Sequence, residues 1–154
     1  MRSVPIVVND LVLLTCVAMY FGTGWSLVLF SFPIRSRLTI HTYYDQFVPQ
    51  VTLATRFFTW MTSLMIATSI VMLISEWEHY WWAPSAVLAG VVAATALTMA
   101  FILPLNKVMA ARITDPAVLD TTLRRWMALN RVRVALWTVQ WLAMATYFGI
   151  VLGR

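Results

Sequence analysis

The sequence predicts an all-α protein, an integral membrane four-helix bundle with up-and-down topology and a long fourth helix. Hydrophobic residues make up 61% of the 154 residues and charged residues only 11%, whereas a soluble domain has roughly a quarter charged residues. Four apolar segments are each long enough to cross a bilayer core, which takes about 20 apolar residues in a helix. Prolines or polar clusters bound each segment. These observations together predict a single membrane-embedded domain.

The four spans are expected at about residues 6–32, 51–74, 85–109 and 134–152. Asp115 followed by Pro116 is typical of a helix start, with an N-cap and a proline in the first turn. The fourth helix is therefore expected to run unbroken from 116 to 152. Its first part, 116–133, exceeds what a bilayer needs, and is expected to protrude or to lie in the interface.

The positive charges predict an orientation. Arg35 and Arg37 lie in the first connection, and lysine and arginine are frequent around the third, whereas the second has Glu76 and Glu78 and no basic residue. The positive-inside rule places connections one and three in the cytoplasm and both termini outside, in an expected bacterial inner membrane. This topology and anionic lipid headgroups explain the net charge of +5, so no nucleic-acid partner is expected.

One face of the fourth helix carries most of its polar and aromatic groups. Trp126, Asn130, Arg133, Trp137 and Trp141 follow one another in steps of four and three, which places them on one side of a helix. A face turned to lipid does not normally carry an amide and a guanidinium. We therefore expect this face to point into the bundle.

Spans two and three bring further polar groups. One face of span two is predicted to carry Thr52, Arg56, Thr59 and Ser63. An arginine at this depth usually faces a bundle interior, a cavity or a partner, although it can also extend to the headgroups. Asn106, near the end of span three, is expected to lie level with Arg56, Asn130 and Arg133. This convergence predicts a ligand site, and a polar latch between helices is the alternative.

The histidines and acidic residues predict no metal site. His41, in the first connection, would either fold over the bundle mouth as an acid, base or ligand-binding group or remain a solvated loop residue. The segment from Glu76 to His79 has the Glu-x-x-His spacing of di-iron bundles, but the spacing occurs once. An outer loop is the favoured interpretation. Asn9 and Asp10 are expected to cap the first helix.

Two short motifs resemble a known family. Phe-Ile-Leu-Pro104-Leu-Asn106 closes span three, and Trp126-Met-Ala-Leu129-Asn130-Arg-Val-Arg133 opens span four. They resemble the anthrone-oxygenase-like family of small four-helix integral membrane proteins, and the resemblance extends from about Tyr20 to the end of the chain. The residues that match the family are Pro104, Asn106, Trp126, Leu129, Asn130 and Arg133. Some members are assigned to the oxidation of anthrones to anthraquinones with dioxygen, and many have no assigned reaction.

The first functional hypothesis is an oxygenase that acts on a flat hydrophobic phenolic substrate. Arg56 or Arg133 would stabilise the phenolate or enolate, because fixed positive charge in a dry site favours an anion. Asn130 and Asn106 would orient the oxygen substituents. The remaining substrate contacts are expected from Trp126, Trp137 and His41. This scheme requires neither a metal nor another cofactor.

The second hypothesis is a non-catalytic membrane subunit that binds a quinone, a haem, a pigment or a partner protein. Its arginines would then pair with a lipid phosphate, a propionate or a carboxylate. Haem ligation would depend on the two histidines, His41 and His79. Under either hypothesis the expected partners are membrane lipids and a hydrophobic small molecule, with a homo-oligomer or a larger membrane complex also open.

Overall fold

A computed structural model describes residues 3–153, and these residues form four long helices and no strand. Helix α1 covers Val4–Arg37, α2 covers Tyr43–Ser75, α3 covers Trp82–Ala110 and α4 covers Pro116–Leu152. All four are long and apolar enough to cross a membrane. The expected all-α membrane bundle with a long fourth helix is thus confirmed.

Each helix packs against the next one in the chain, and α4 packs against both α3 and α1. In this up-and-down arrangement α2 and α4 face each other across the bundle. We call the end with connections 38–42 and 111–115 the basic end, because lysine and arginine cluster there. The end with connection 76–81 is the opposite end.

Two hydrophobic clusters hold the bundle together. The larger draws on all four helices and extends from the opposite end, where Leu13, Met72, Val87 and Met144 are fully buried, to the middle of the bundle, where Trp137 belongs to it. The smaller lies at the basic end and includes Trp126. The interior is less completely filled between them.

Two helices begin earlier in the chain than the sequence pattern indicated. Helix α2 begins at Tyr43 and continues through Pro49, although a proline inside a helix removes one backbone hydrogen bond. Helix α1 begins at Val4, so Asn9 and Asp10 lie inside it and do not cap it. The Asn9 amide instead donates to the Thr68 carbonyl oxygen at 3.0 Å.

Helices α1 and α3 each contain one wide π turn, at Leu27–Ser31 and Thr98–Ile102. Each turn is followed two residues later by a proline, Pro33 or Pro104. A proline ring clashes with the carbonyl group four residues before it, and that group falls inside the wide turn in both cases. The π turns therefore let the two helices continue past their prolines.

The start of α4 has the expected cap. Asp115 accepts a hydrogen bond from the Ala117 backbone N–H at 2.8 Å, and the helix runs unbroken to Leu152. The Asp120 carboxylate, one turn further on, pairs with Arg35 and Arg124. These contacts attach α4 to the end of α1 and fix the register of the polar face described next.

Candidate functional site

A cavity of about 680 Å³ extends from the middle of the bundle toward the basic end. All four helices line it, and both π turns contribute to its wall. Four of the seven predicted site residues line it: Asn106, Trp126, Arg133 and Trp137. Its size is within the usual range for small-molecule sites, which is about 300 to 1,000 Å³.

Aromatic rings connect α2 with α4 at two levels of this cavity. The rings of Phe47 and Trp126 lie 4.8 Å apart, and those of Phe58 and Trp137 lie 6.0 Å apart. Trp126 and Trp137 are both buried. Trp126 and Trp137, from which substrate contacts are expected, thus both line the cavity.

Asn106 and Trp126 form a hydrogen-bonded pair at the basic end of the cavity. The Trp126 indole N–H donates to Asn106 Oδ1 at 2.8 Å. The indole N–H and the amide oxygen thus each have a hydrogen-bond partner. This is the contact expected if Asn106 acts as a polar latch between helices, the alternative to a ligand site. Asn106 nevertheless lines the cavity, and its amide nitrogen is a donor.

Arg133 lies deeper than expected. Its guanidinium reaches Thr98 Oγ1 at 3.4 Å and stands 4.7 Å from the centre of the Trp137 ring. It lies seven residues beyond Trp126 on α4, which is a rise of about 10 Å. The prediction that Arg133 and Asn106 share one depth was therefore wrong, because the first is near the middle of the bundle and the second near its end.

The charge of Arg133 has no counter-charge in the described part of the chain. Its Nε atom is buried without a hydrogen-bond partner, and no carboxylate within residues 3–153 pairs with it. A cation in such a place is costly unless something compensates it. The ring of Trp137 compensates it in part through a cation–π contact.

Arg56 does not reach the cavity, so its predicted place in the interior was wrong. Its side chain is exposed and absent from the cavity wall. Two other members of the face predicted on α2, Thr59 and Ser63, do line the cavity, together with Thr55 and Phe58. The cavity face therefore overlaps the predicted face only in part, and Arg56 lies outside it. Arg56 lies near the level of Arg133 on the outside of the bundle.

Asn130 and His41 are also absent from the cavity wall. Asn130 is fully buried, and its amide nitrogen donates to the Trp126 carbonyl oxygen at 2.8 Å while its Oδ1 atom has no partner. It lies behind the wall. His41 is exposed in the turn before α2. Neither side chain contacts the space where a ligand would lie.

Two of the cavity residues that sequence reasoning missed are Gln140 and Tyr20. Gln140 is fully buried, lines the cavity, and has no partner for either Oε1 or Nε2. The step of three from Trp137 leads to Gln140 as readily as the step of four leads to Trp141, so the helical spacing contained this signal. Tyr20 was missed because a tyrosine in an apolar span resembles packing. Its hydroxyl lies 2.8 Å from the Phe58 carbonyl oxygen and 2.7 Å from the Thr62 hydroxyl.

Hydroxyl groups make the α2 wall a surface of hydrogen-bond acceptors. Thr55 and Thr59 each donate to the carbonyl oxygen four residues earlier at 2.8 Å, whereas the Thr62 hydroxyl is already in contact with the Tyr20 hydroxyl. A hydroxyl that donates within its own helix keeps its oxygen lone pairs for an incoming donor. The cavity thus combines acceptor oxygens on α2 with donors on α4.

No cluster of three or more histidine, cysteine or acidic side chains suited to a metal occurs within residues 3–153. Both histidines are exposed and lie in connections, away from the cavity. The cavity groups named above are a guanidinium, amides, hydroxyls and aromatic rings. Such groups bind and polarise an organic ligand through hydrogen bonds and charge.

These features define the class of protein as an integral membrane four-helix bundle with a partly open internal cavity, and a cationic side chain, Arg133, lines this cavity. Comparison with family models, with curated proteins and with solved structures finds no match to this chain. The resemblance to the anthrone-oxygenase-like family therefore stays a prediction from two short motifs.

Proposed function

We propose that the protein binds an apolar ring compound with an acidic oxygen, and that it holds this oxygen as an anion beside Arg133. The observation that carries the proposal is the guanidinium of Arg133, which is partly buried, borders the cavity, has a buried Nε atom without a hydrogen-bond partner and has no carboxylate partner in the described chain. A phenolate or enolate would supply the missing negative charge. Hydrogen bonds to a charged group contribute more than neutral ones, about 1.5 to 3 kcal/mol.

The walls support an aromatic ligand in particular. Trp126 and Trp137 offer ring faces and edges, and apolar groups such as Ala94 and Ile102 complete the lining. A flat ring can pack against them with offset or edge-on geometry. Because the ligand is apolar, it would partition into the bilayer and enter from the side of the bundle.

Oxidation by dioxygen is the reaction we propose for such an anion. A substrate of the anthrone type loses a proton to water to give an electron-rich enolate, which adds dioxygen at its ring carbon to give a peroxide anion. This anion takes up a proton from water and becomes a hydroperoxide. The hydroperoxide then loses water and leaves a ketone, so one dioxygen is consumed and one water released. The contribution of Arg133 is to lower the free energy of the anion in a water-poor site.

The test compares two arginines near the same level of the bundle. Arg133→Met should weaken the binding of 2-naphthol about ten- to hundredfold, which corresponds to the loss of one charged hydrogen-bonding group. Arg56→Met, at an exposed position, should leave the affinity unchanged. Titration of the purified protein in nanodiscs, followed by naphthol absorbance, measures both. Equal affinities for wild type and Arg133→Met would overturn the binding proposal.

The reaction is tested with anthrone in an oxygen electrode. Wild type should consume one dioxygen for each anthraquinone formed, faster than anthrone does in empty nanodiscs, and Arg133→Met should lose this acceleration. Binding that depends on Arg133 without oxygen uptake would instead support the alternative, a non-catalytic subunit that binds a quinone or pigment. The donors of Arg133 and Gln140 favour this second candidate, because quinone carbonyl oxygens accept hydrogen bonds.

We also propose that the basic end lies at the cytoplasmic face of a bacterial inner membrane, as the positive-inside rule predicts. Single cysteines placed at exposed Ser36 and exposed Trp77 in a Cys16→Ser background separate the two faces. In intact cells a membrane-impermeant maleimide should label the cysteine at position 77 and not the cysteine at position 36. The reverse pattern would invert the topology.

A further inference from the structure

The side-chain amide of Gln140 lies at the end of the cavity away from the basic end, and its oxygen and nitrogen both lack a hydrogen-bond partner. Gln140 is 0% exposed, and neither its Oε1 nor its Nε2 has a partner. Each unsatisfied buried polar group costs about 1 to 3 kcal/mol. The side chain borders the cavity, so a ligand that fills this end of the cavity would lie next to the amide.

The neighbouring helix is built to admit this amide. At Gly90 on α3, an added Cβ would lie 2.3 Å from Gln140 Nε2 and 2.6 Å from its Cγ. Any larger residue at position 90 would therefore displace the glutamine. Gly90 lets the α3 backbone pack directly against Gln140 and fixes its place at the end of the cavity.

Gln140 and Arg133 are separated by seven residues on α4. Two turns of helix place them on the same face, about 10 Å apart along the axis. Aromatic and aliphatic side chains, among them Trp137 and Ala94, line the cavity with them. The cavity is thus polar at two levels and mostly apolar around them.

We propose that Gln140 is a specificity-determining residue that binds a second polar group of the ligand. This inference rests on the proposed function and deepens it. The ligand class is an elongated apolar molecule with an acidic oxygen at Arg133 and a hydroxyl or carbonyl group about two helical turns away. A hydroxyl can donate to Oε1 or accept from Nε2, and a carbonyl can accept from Nε2.

Two rigid phenols of matched shape test the proposal. The ligand 4,4′-dihydroxybiphenyl has a hydroxyl at each end, and 4-hydroxy-4′-methylbiphenyl replaces one hydroxyl with a methyl group of similar size. Wild type should prefer the diol about five- to tenfold, as expected for one hydrogen bond to an otherwise unsatisfied amide. Its two equivalent ends account for a factor of only about two of this preference.

Gln140→Met keeps an unbranched chain of similar length and removes both hydrogen-bonding atoms. In this variant the preference for the diol should fall to about twofold or less, while the methyl compound should bind as in wild type or more tightly. Gly90→Ala should lower the preference as well, because it displaces the amide without changing its chemistry. A preference that survives in both variants would overturn the proposal.

The same titrations separate this inference from the function on which it rests. If Arg133→Met does not weaken the binding of the methyl compound, the proposed function itself fails. If the methyl compound depends on Arg133 but wild type shows no preference for the diol beyond the statistical factor, only the role of Gln140 fails. Circular dichroism and elution as a single species confirm that each variant is folded.

Discussion

The two halves of the bundle use buried polar groups in different ways. Toward the opposite end, Asp10 is 1% exposed and accepts a hydrogen bond from the Tyr147 hydroxyl at 2.8 Å. The Tyr80 ring packs edge-on against Tyr147 at 5.4 Å. In the cavity half, Arg133 and Gln140 carry buried polar atoms without partners. The polar groups named in the first half pair with each other, whereas the second half contains buried polar atoms that have no partner, two of whose residues, Arg133 and Gln140, line the cavity.

The two halves of the bundle also differ in how completely side chains fill their interior. Leu13, Met72, Val87 and Met144 fill the half near the opposite end, whereas the cavity occupies the other. Ser69 is an exception to the polar comparison, because its Oγ atom is buried without a partner although it lies outside the cavity lining. The comparison suggests that one half provides stability and the other provides binding, and substitutions can test each.

The largest contrast is expected from one substitution made in both halves of α3. Ala94→Phe places a ring in the cavity and should abolish naphthol binding with little loss of stability. Ala83→Phe forces the same ring into a position that is 0% exposed in the filled half, and should destabilise the protein by about 1 to 3 kcal/mol. Thermal unfolding and naphthol titration measure the two effects. Similar stability losses in both variants would remove the distinction between the halves.

A second contrast concerns paired and unpaired polar groups. Tyr147→Phe deprives the buried Asp10 of a hydrogen-bond donor and should cost about 1 to 3 kcal/mol of stability without affecting naphthol binding. Arg133→Met removes a charge that has no ion-pair partner in the described chain, so the midpoint of unfolding should stay the same or rise. Chemical denaturation of both variants in the same detergent measures this. A marked destabilisation by Arg133→Met would show that its charge is compensated within the protein.

The smallest effect is expected from the Thr98 hydroxyl. It accepts a weak 3.4 Å hydrogen bond from Arg133, and it donates to the Ala94 carbonyl oxygen at 2.7 Å. Thr98→Val keeps the shape and removes the contact, so Arg133 becomes less ordered and naphthol affinity should fall about two- to threefold. Thr95→Val, also at the cavity wall, is the matched control. A loss as large as that of Arg133→Met would mean that Thr98 contacts the ligand itself.

Several features could be predicted from the sequence because they depend on local chemistry. The apolar content and segment lengths determined a four-helix membrane bundle, since a spanning chain must satisfy its backbone groups internally. The Asp115–Pro116 pair determined the start of α4, because N-capping involves neighbouring residues only. The spacing on α4 identified Arg133, Trp126 and Trp137, all of which line the cavity.

Other features were decided by the tertiary structure alone. The rotation of α2 places Arg56 outside, whereas Thr59 from the same predicted face lines the cavity, and sequence spacing could not locate the edge of the cavity face. The depth of Arg133 relative to Asn106 depends on how α3 and α4 slide past each other. The position of the Gln140 side chain depends on Gly90, which no local pattern connects with it. Helix rotation, axial register and interhelical contact are set by packing between distant parts of the chain, so they require the folded structure.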